Sequence, residues 1–260
     1  MQIWGKLFGA IIGFMFGRFF GAILGLWLGH MYDKRKGFEG FIKTAAKRQG
    51  QFFNSTFAVM GHVAKASGQV TETDIRIATM LMDQMRLQGQ MRKDAQNAFR
   101  KGKQPDFDIK QCLSEFRQVA GNRQELLQMF LEIQIQTALA DGELQPKEQQ
   151  ILATIAQELG FSSTQLQQML KRWQAEFKFH QAGKSGNSTT SLTDAYQLLG
   201  LVETATDQQV KRAYRKLMNE HHPDKLVAKG LPEEMMELAK RKAQDIQAAY
   251  DKVKHQRGFK

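Results

Sequence analysis

The sequence predicts an all-α protein with a single N-terminal transmembrane helix, a central helical domain and a C-terminal helical hairpin. Three observations support this prediction: an apolar, glycine-rich stretch opens the chain, apolar residues recur at helical spacing through its middle, and two amphipathic segments flank a short loop near its end. The predicted segments are a transmembrane anchor (1–30), a basic juxtamembrane segment (31–49), a helical domain (50–181), a Gly/Ser linker (182–191) and a C-terminal domain (192–260).

The composition and the charge distribution of the chain exclude several kinds of binding site and partner. The chain has 260 residues and a formal net charge of +11, and residues 30–110 alone carry 15 basic and 8 acidic residues. This excess follows the apolar N-terminus, where an anionic membrane surface would attract it. We see no basic cluster with stacking aromatic residues, so nucleic acid is not an expected partner. The single Cys112 excludes both a disulfide framework and a cysteine-ligated zinc site.

The N-terminal stretch predicts a membrane anchor. Ile3–Gly29 contains only two charged residues, Lys6 and Arg18, and is long enough as a helix to cross a hydrocarbon core of about 30 Å. It is long for a signal peptide, and no small-residue cleavage site follows it. Basic residues from Lys34 onward crowd its C-terminal flank, so the positive-inside rule predicts a cytoplasmic C-terminal bulk and an N-terminus on the other side.

Glycine occupies every fourth position from Gly5 to Gly29. Small residues at this spacing let two membrane helices approach closely. The stripe therefore predicts a homodimer, with Gly13, Gly17 and Gly21 as the central contact. Arg18 lies at the border of the stripe, and two fates stay open for it: its side chain extends to the membrane surface, or it makes a polar contact inside an oligomer.

The central segment contains a weak internal repeat. Residues 66–70 and 140–144 each read as a Gly-centred turn before a capped helix, and they are offset by 74 residues. Thr71 is the expected cap of the first helix, and Pro146 suits the first turn of the second. Apolar residues recur at helical spacing after each turn and predict one buried helix face each. The first face consists of Ile75, Ala78, Met82 and Met85, and the second consists of Ile151, Ile155 and Leu159.

These paired hairpins resemble the tellurite-resistance TerB family, in which acidic turn residues are linked to metal. Asp141, Glu143 and Glu148 match one turn, but Ser67 and Gln69 replace the acids in the other. We therefore expect turn and capping roles, and no metal or other cofactor. No nucleophile–base pair or Gly-rich phosphate loop is present, so the sequence does not predict an enzyme. A metal-dependent enzyme remains the less favoured alternative.

The C-terminal segment predicts three helices around one loop. Asp194–Gly200 reads as a short helix that ends at glycine, Thr206 with Gln209 fits a capping box, and Pro232 opens the last helix. The apolar faces of the second and third helices are formed by Val210, Ala213, Tyr214 and Leu217, and by Met236, Ala239, Ala243, Ile246, Tyr250 and Val253. Two such faces predict an antiparallel pair.

The loop between these helices contains His222, Pro223 and Asp224. With Ala213–Leu217 and Ala248–Tyr250 at its flanks, it resembles the J domain of the DnaJ family. The resemblance implies that the loop and the basic side of the preceding helix dock on an ATP-bound DnaK-type chaperone and trigger hydrolysis. The predicted DnaK-binding residues are His222, Pro223, Asp224, Lys211, Arg212, Arg215 and Lys216. Pro223 fixes its own φ and keeps His222 extended, which stiffens the loop.

The whole arrangement resembles the membrane-bound DnaJ-like proteins of Gram-negative bacteria, which implies the bacterial inner membrane as its location and its lipids as neighbours. It lacks the Gly/Phe-rich segment and zinc cysteines of DnaJ. The expected function is a co-chaperone that localises DnaK activity at that membrane. The rival function is an interaction scaffold whose central domain binds a membrane partner or a metal and whose J domain is secondary.

Overall fold

Every regular element in the described part of the chain is helical, which confirms the predicted fold class. The computed structural model describes residues 49–139, 142–184, 192–229, 231–232 and 235–258. The predicted anchor with its glycines and Arg18, almost all of the juxtamembrane segment, Asp141 and residues 185–191 of the linker lie outside the described residues. Within the described residues, no helix combines the length and apolar character needed to cross a membrane.

The described residues of the central domain form seven helices. Their bounds are α1 (49–65), α2 (Glu72–Gln84), α3 (Gly89–Gly102), α4 (Ile109–Ala120), α5 (Gln124–Ala138), α6 (Pro146–Leu159) and α7 (Ser163–Lys184). Helix α5 buries eleven of its fifteen residues, so it lies deep in the core. Phe130 of α5 stacks on Phe116 of α4 with ring centroids 4.1 Å apart.

The internal repeat predicted from the sequence is confirmed by the two turns. Gly68 and Gly142 both have positive φ angles, of 112° and 92°, which suit glycine. Each turn is followed by a capped helix: Thr71 and Asp74 form a capping box before α2, and Glu148 caps α6, which begins at Pro146. Glu148 accepts a hydrogen bond of 3.0 Å from the Gln145 backbone N–H, so it caps the helix as expected.

Helices α1 and α3 cross in direct backbone contact. A Cβ atom added at Gly61 would lie 2.1 Å from the carbonyl oxygen of Phe99, and one added at Gly102 would lie 1.7 Å from the carbonyl oxygen of Ala58. Both positions therefore require glycine. The sequence analysis did not single out either residue, because an isolated helical glycine usually only weakens its helix.

In the C-terminal domain, the residues with described positions form four α-helices: α8 (Leu192–Leu198), α9 (Asp207–His221), α10 (Pro223–Ala228) and α11 (Met236–Arg257). Helices α9 and α11 form the predicted pair, with Val210 and Leu217 buried against Ile246 and Val253. Two predictions need correction. Pro223 and Asp224 lie in the first turn of α10 rather than in a loop, and α11 begins at Met236, four residues after the proline that was expected to open it.

Two apolar residues predicted to face the core are exposed instead. Ile75 in α2 is 52% exposed and Met236 in α11 is 39% exposed. Met236 is the first residue of its helix. Conversely, the charged Lys242 is buried on the face of α11 that packs inward.

Candidate functional site

The site is built on α9, whose start is fixed by its cap. The Thr206 hydroxyl accepts from the Gln209 backbone N–H at 3.3 Å, and the Gln209 side chain accepts from the Thr206 backbone N–H at 2.7 Å. The inner face of the helix is held by Tyr214, whose ring stacks on Tyr250 of α11 at 4.1 Å between centroids. The cap therefore fixes where α9 begins, and the Tyr214–Tyr250 stack holds its middle against α11.

The basic side of α9 lies on the surface. Arg212, Arg215 and Lys216 are exposed and Lys211 is half-buried. The Arg215 guanidinium donates to the Lys211 carbonyl at 3.2 Å, and Lys216 lies 3.9 Å from the Glu220 carboxylate. Exposed ion pairs of this length contribute little to stability, so these cations can turn to an acidic partner.

His222 occupies the junction between two helices. It is both the C-cap of α9 and the N-cap of α10, with extended backbone angles of φ −66° and ψ 123°, as the following Pro223 predicted. Its carbonyl accepts from the Leu226 backbone N–H at 3.0 Å. His222 and Pro223 are half-buried and Asp224 is exposed. The tripeptide is thus a rigid corner at the end of the basic face.

The tip of the C-terminal domain packs on the central domain, within the one compact unit formed by residues 51–260. Leu226 and Leu231, after the His222 corner, and Met235 and Ala239, at the start of α11, belong to the same hydrophobic cluster as the central core. The other residues of α8, α9 and α11 form a separate core. The predicted linker therefore connects two domains that are in contact.

Charged side chains are buried at this contact. Lys242 of α11 donates to the Glu176 carboxylate of α7 at 2.5 Å, and its ammonium lies 3.9 Å from the centre of the Trp173 ring. His221 of α9 lies with its Nε2 atom 3.7 Å from an Oε1 atom of Glu132 in α5. Lys242, Glu176, His221 and Glu132 are all less than 9% exposed.

Burial shifts a pKa in each of these buried contacts. Burial lowers the pKa of His221 to about 4, although the Glu132 charge opposes the decrease, so the imidazole is neutral at pH 7. Burial raises the pKa of Glu176, and the neighbouring Lys242 offsets part of that increase. The His221–Glu132 contact therefore joins a neutral ring to an acidic side chain, whereas Lys242 and Glu176 share a short hydrogen bond.

The sequence analysis found the basic face and the tripeptide but missed this buried contact. The one available signal was Glu132, a charge inside the apolar run of α5. His62 and His255, which were given no role, lie elsewhere: His62 packs on Phe107 with ring centroids 5.4 Å apart, and His255 is exposed. Among the residues with described positions, no group of His, Cys, Asp and Glu is arranged to hold a metal ion.

Three family models match successive parts of the chain. Residues 1–50 match the transmembrane domain of co-chaperone DjlA, residues 54–171 match tellurite resistance protein TerB, and residues 194–257 match the DnaJ domain. The first match confirms the predicted membrane anchor. The other two confirm the resemblances drawn from the paired turns and from the His222 corner.

Curated relatives align over the whole chain and are described as co-chaperone protein DjlA. The protein of Shewanella oneidensis is 70% identical, with 100% of both chains covered. The protein of Photobacterium profundum is 51% identical over 99% of this chain and 100% of its own length. The protein of Vibrio cholerae is 49% identical over 100% of both chains. No solved structure matches this chain.

Proposed function

This chain belongs to the DjlA family of membrane-anchored, DnaJ-like co-chaperones, and from that premise we propose that it stimulates ATP hydrolysis by a DnaK-type chaperone. The observation that carries the proposal is the rigid corner at His222, which continues directly into an exposed basic helix face. The corner fixes the geometry of the tripeptide, and the cations of α9 attract an acidic partner. The proposal assigns the reaction to DnaK, so this chain needs no active site, cofactor or nucleic-acid partner of its own.

The first test measures the ATPase rate of DnaK with and without the purified chain. The second measures how much DnaK the immobilised chain retains with ATP present and with ATP absent. A co-chaperone raises the rate and retains DnaK in the presence of ATP. The rival function, a membrane interaction scaffold with a secondary J domain, gives an unchanged rate.

We propose further that the anchor lies in the bacterial inner membrane, with its N-terminus in the periplasm and the C-terminal bulk in the cytoplasm. The support is the basic flank that follows the span, from Lys34 to Arg48. A reporter active only in the periplasm should stay inactive when it is fused after Lys260 and become active when it is fused before Met1. The opposite pattern would refute this orientation.

The glycine stripe supports a second proposal about the anchor, namely that it forms a homodimer. Replacing Gly13, Gly17 and Gly21 by Leu should separate the two backbones and weaken association, while the more apolar span still inserts. Association of the isolated span in a membrane is the measurement. Leucines at Gly5 and Gly29, near the ends of the stripe, are the matched control and should have a smaller effect. If the native and triple-Leu spans associate equally, the glycine stripe is not the interface of the dimer.

A further inference from the structure

The segment that carries the DnaK-facing tripeptide is held against the central domain. Leu226 and Leu231 are 1% and 3% exposed, and Met235 is fully buried, all in the cluster shared with the central core. These residues follow His222 by 4, 9 and 13 positions, and His221, which precedes it, is buried beside Glu132. The central domain therefore contacts the chain on both sides of the tripeptide.

The imidazole of His222, between these held segments, is partly covered as well. The side chain is half-buried, and its Nδ1 atom is covered without a hydrogen-bond partner among the described residues. An unpaired buried nitrogen is unfavourable, and it gains a partner only when the segment moves or water enters. Arg212, Arg215 and Lys216 are exposed in the same arrangement. A partner can thus reach the basic face while one edge of the His222 ring stays covered.

The contact between the two domains has the character of a separable interface. Besides the apolar residues, it contains buried polar contacts, between Lys242 and Glu176 and between His221 and Glu132, and a further pair between Lys229 and Glu125 nearer the surface. Buried charges add little net stability compared with apolar packing, but losing one partner strongly destabilises the contact. A cavity of about 540 Å³ also runs between the domains, past Trp173 and Phe177 of α7.

We propose that Glu132, Glu176, His221 and Lys242 form an intramolecular latch that restrains the tripeptide, and that opening this latch increases stimulation of the DnaK-type chaperone. The proposal rests on the proposed function and adds regulation to the same site. With the latch closed, only the open fraction of molecules engages DnaK fully. The apparent affinity is then reduced in proportion to that fraction.

The test uses the full chain in lipid nanodiscs and reverses charges across the contact. Lys242→Glu places a third carboxylate beside Glu176 and Glu132, and Glu176→Lys places two ammonium groups together. Breaking a buried pair in this way should shift the equilibrium towards the open form by more than about 100-fold. The double variant exchanges the two charges and should restore docking. Glu237→Lys is the matched control, because it reverses a charge on the same helix, α11, in an exposed pair with Arg86 of the central domain whose 4.0 Å separation contributes little.

Two readouts keep this proposal separate from the proposed function. Hydrogen exchange of the α10 amides reports docking without DnaK, and the DnaK ATPase rate reports stimulation. Each single reversal should accelerate exchange and lower the DnaK concentration for half-maximal stimulation, by about threefold if one third of wild-type molecules are open. The double variant and the Glu237→Lys control should behave like the wild type in both readouts.

Faster exchange with unchanged or weaker stimulation would overturn the latch while leaving the co-chaperone function intact. No stimulation by any form, wild type included, would instead refute the proposed function. If a charge reversal at Lys242 or Glu176 unfolds the chain, Lys229→Glu tests the latch instead. This substitution is milder, because the Lys229–Glu125 pair is partly exposed. Lys229→Glu should raise stimulation and a compensating Glu125→Lys should return it, and no change in either variant would also overturn the latch.

Discussion

His222→Gln should reduce the DnaK ATPase rate to that of DnaK alone and leave the fold of the chain unchanged. Glutamine can adopt the extended backbone conformation of His222. In the described structure the Nδ1 atom of His222 makes no hydrogen bond that the substitution would break. The backbone bond from the Leu226 N–H to the His222 carbonyl is independent of the side chain. Loss of stimulation would then be a loss of contact with DnaK and not of structure. The measurement is a single-turnover ATPase assay, with circular dichroism to verify the fold.

The matched control is His255→Gln, which makes the same substitution at an exposed position of α11 in the same domain. It should stimulate DnaK as well as the wild type does. If His222→Gln stimulates to the same extent as this control, the tripeptide does not act as proposed and the basic face alone must carry the activity.

Gly61→Ala should lower the free energy of unfolding by about 2–3 kcal/mol, because the added methyl group would lie 2.1 Å from the carbonyl oxygen of Phe99. The atom it meets belongs to the backbone of α3, so no side-chain rotation relieves the contact and the two helices must separate. For a unit of this size the melting temperature should fall by roughly 5–10 °C. Thermal unfolding of a chain that begins at residue 49 measures this effect.

Gly50→Ala is the control for this experiment, since it lies in the same helix and an added Cβ there meets nothing within 4 Å. Alanine forms helix better than glycine by about 1 kcal/mol, so this variant should be as stable as the wild type or slightly more stable. Equal melting temperatures for the two variants would mean that α1 and α3 are not in contact at Gly61.

The C-terminal domain could be predicted well because its signals are local. The capping box at Thr206 and the glycine after α8 each depend on residues within one turn, and Val210 and Leu217 recur two turns apart on one face of one helix. The resemblance to the DnaJ family then supplied the role of the tripeptide. The turn at Pro223 was drawn as a loop because a six-residue helix leaves no periodic pattern to read.

The contact between the domains could not be predicted, because it joins residues that are far apart in the sequence. Lys242 and Glu176 are separated by 66 positions, and each read alone is a charged residue on a helix, which is normally solvated. Their burial follows from the packing of α11 against α7, not from either helix by itself. Similarly, Gly61 and Gly102 become informative only when the crossing of α1 and α3 is known.

The place of Trp173 beside Lys242 gives the protein a built-in optical probe. The chain has three tryptophans, and two of them, Trp4 and Trp27, belong to the membrane anchor. A chain that begins at residue 49 therefore emits tryptophan fluorescence from one indole, whose ring centre lies 3.9 Å from an ammonium group of the other domain. Separation of the domains would remove that charge and admit water to the ring. The wavelength and intensity of emission would then follow domain separation in real time, with no label added.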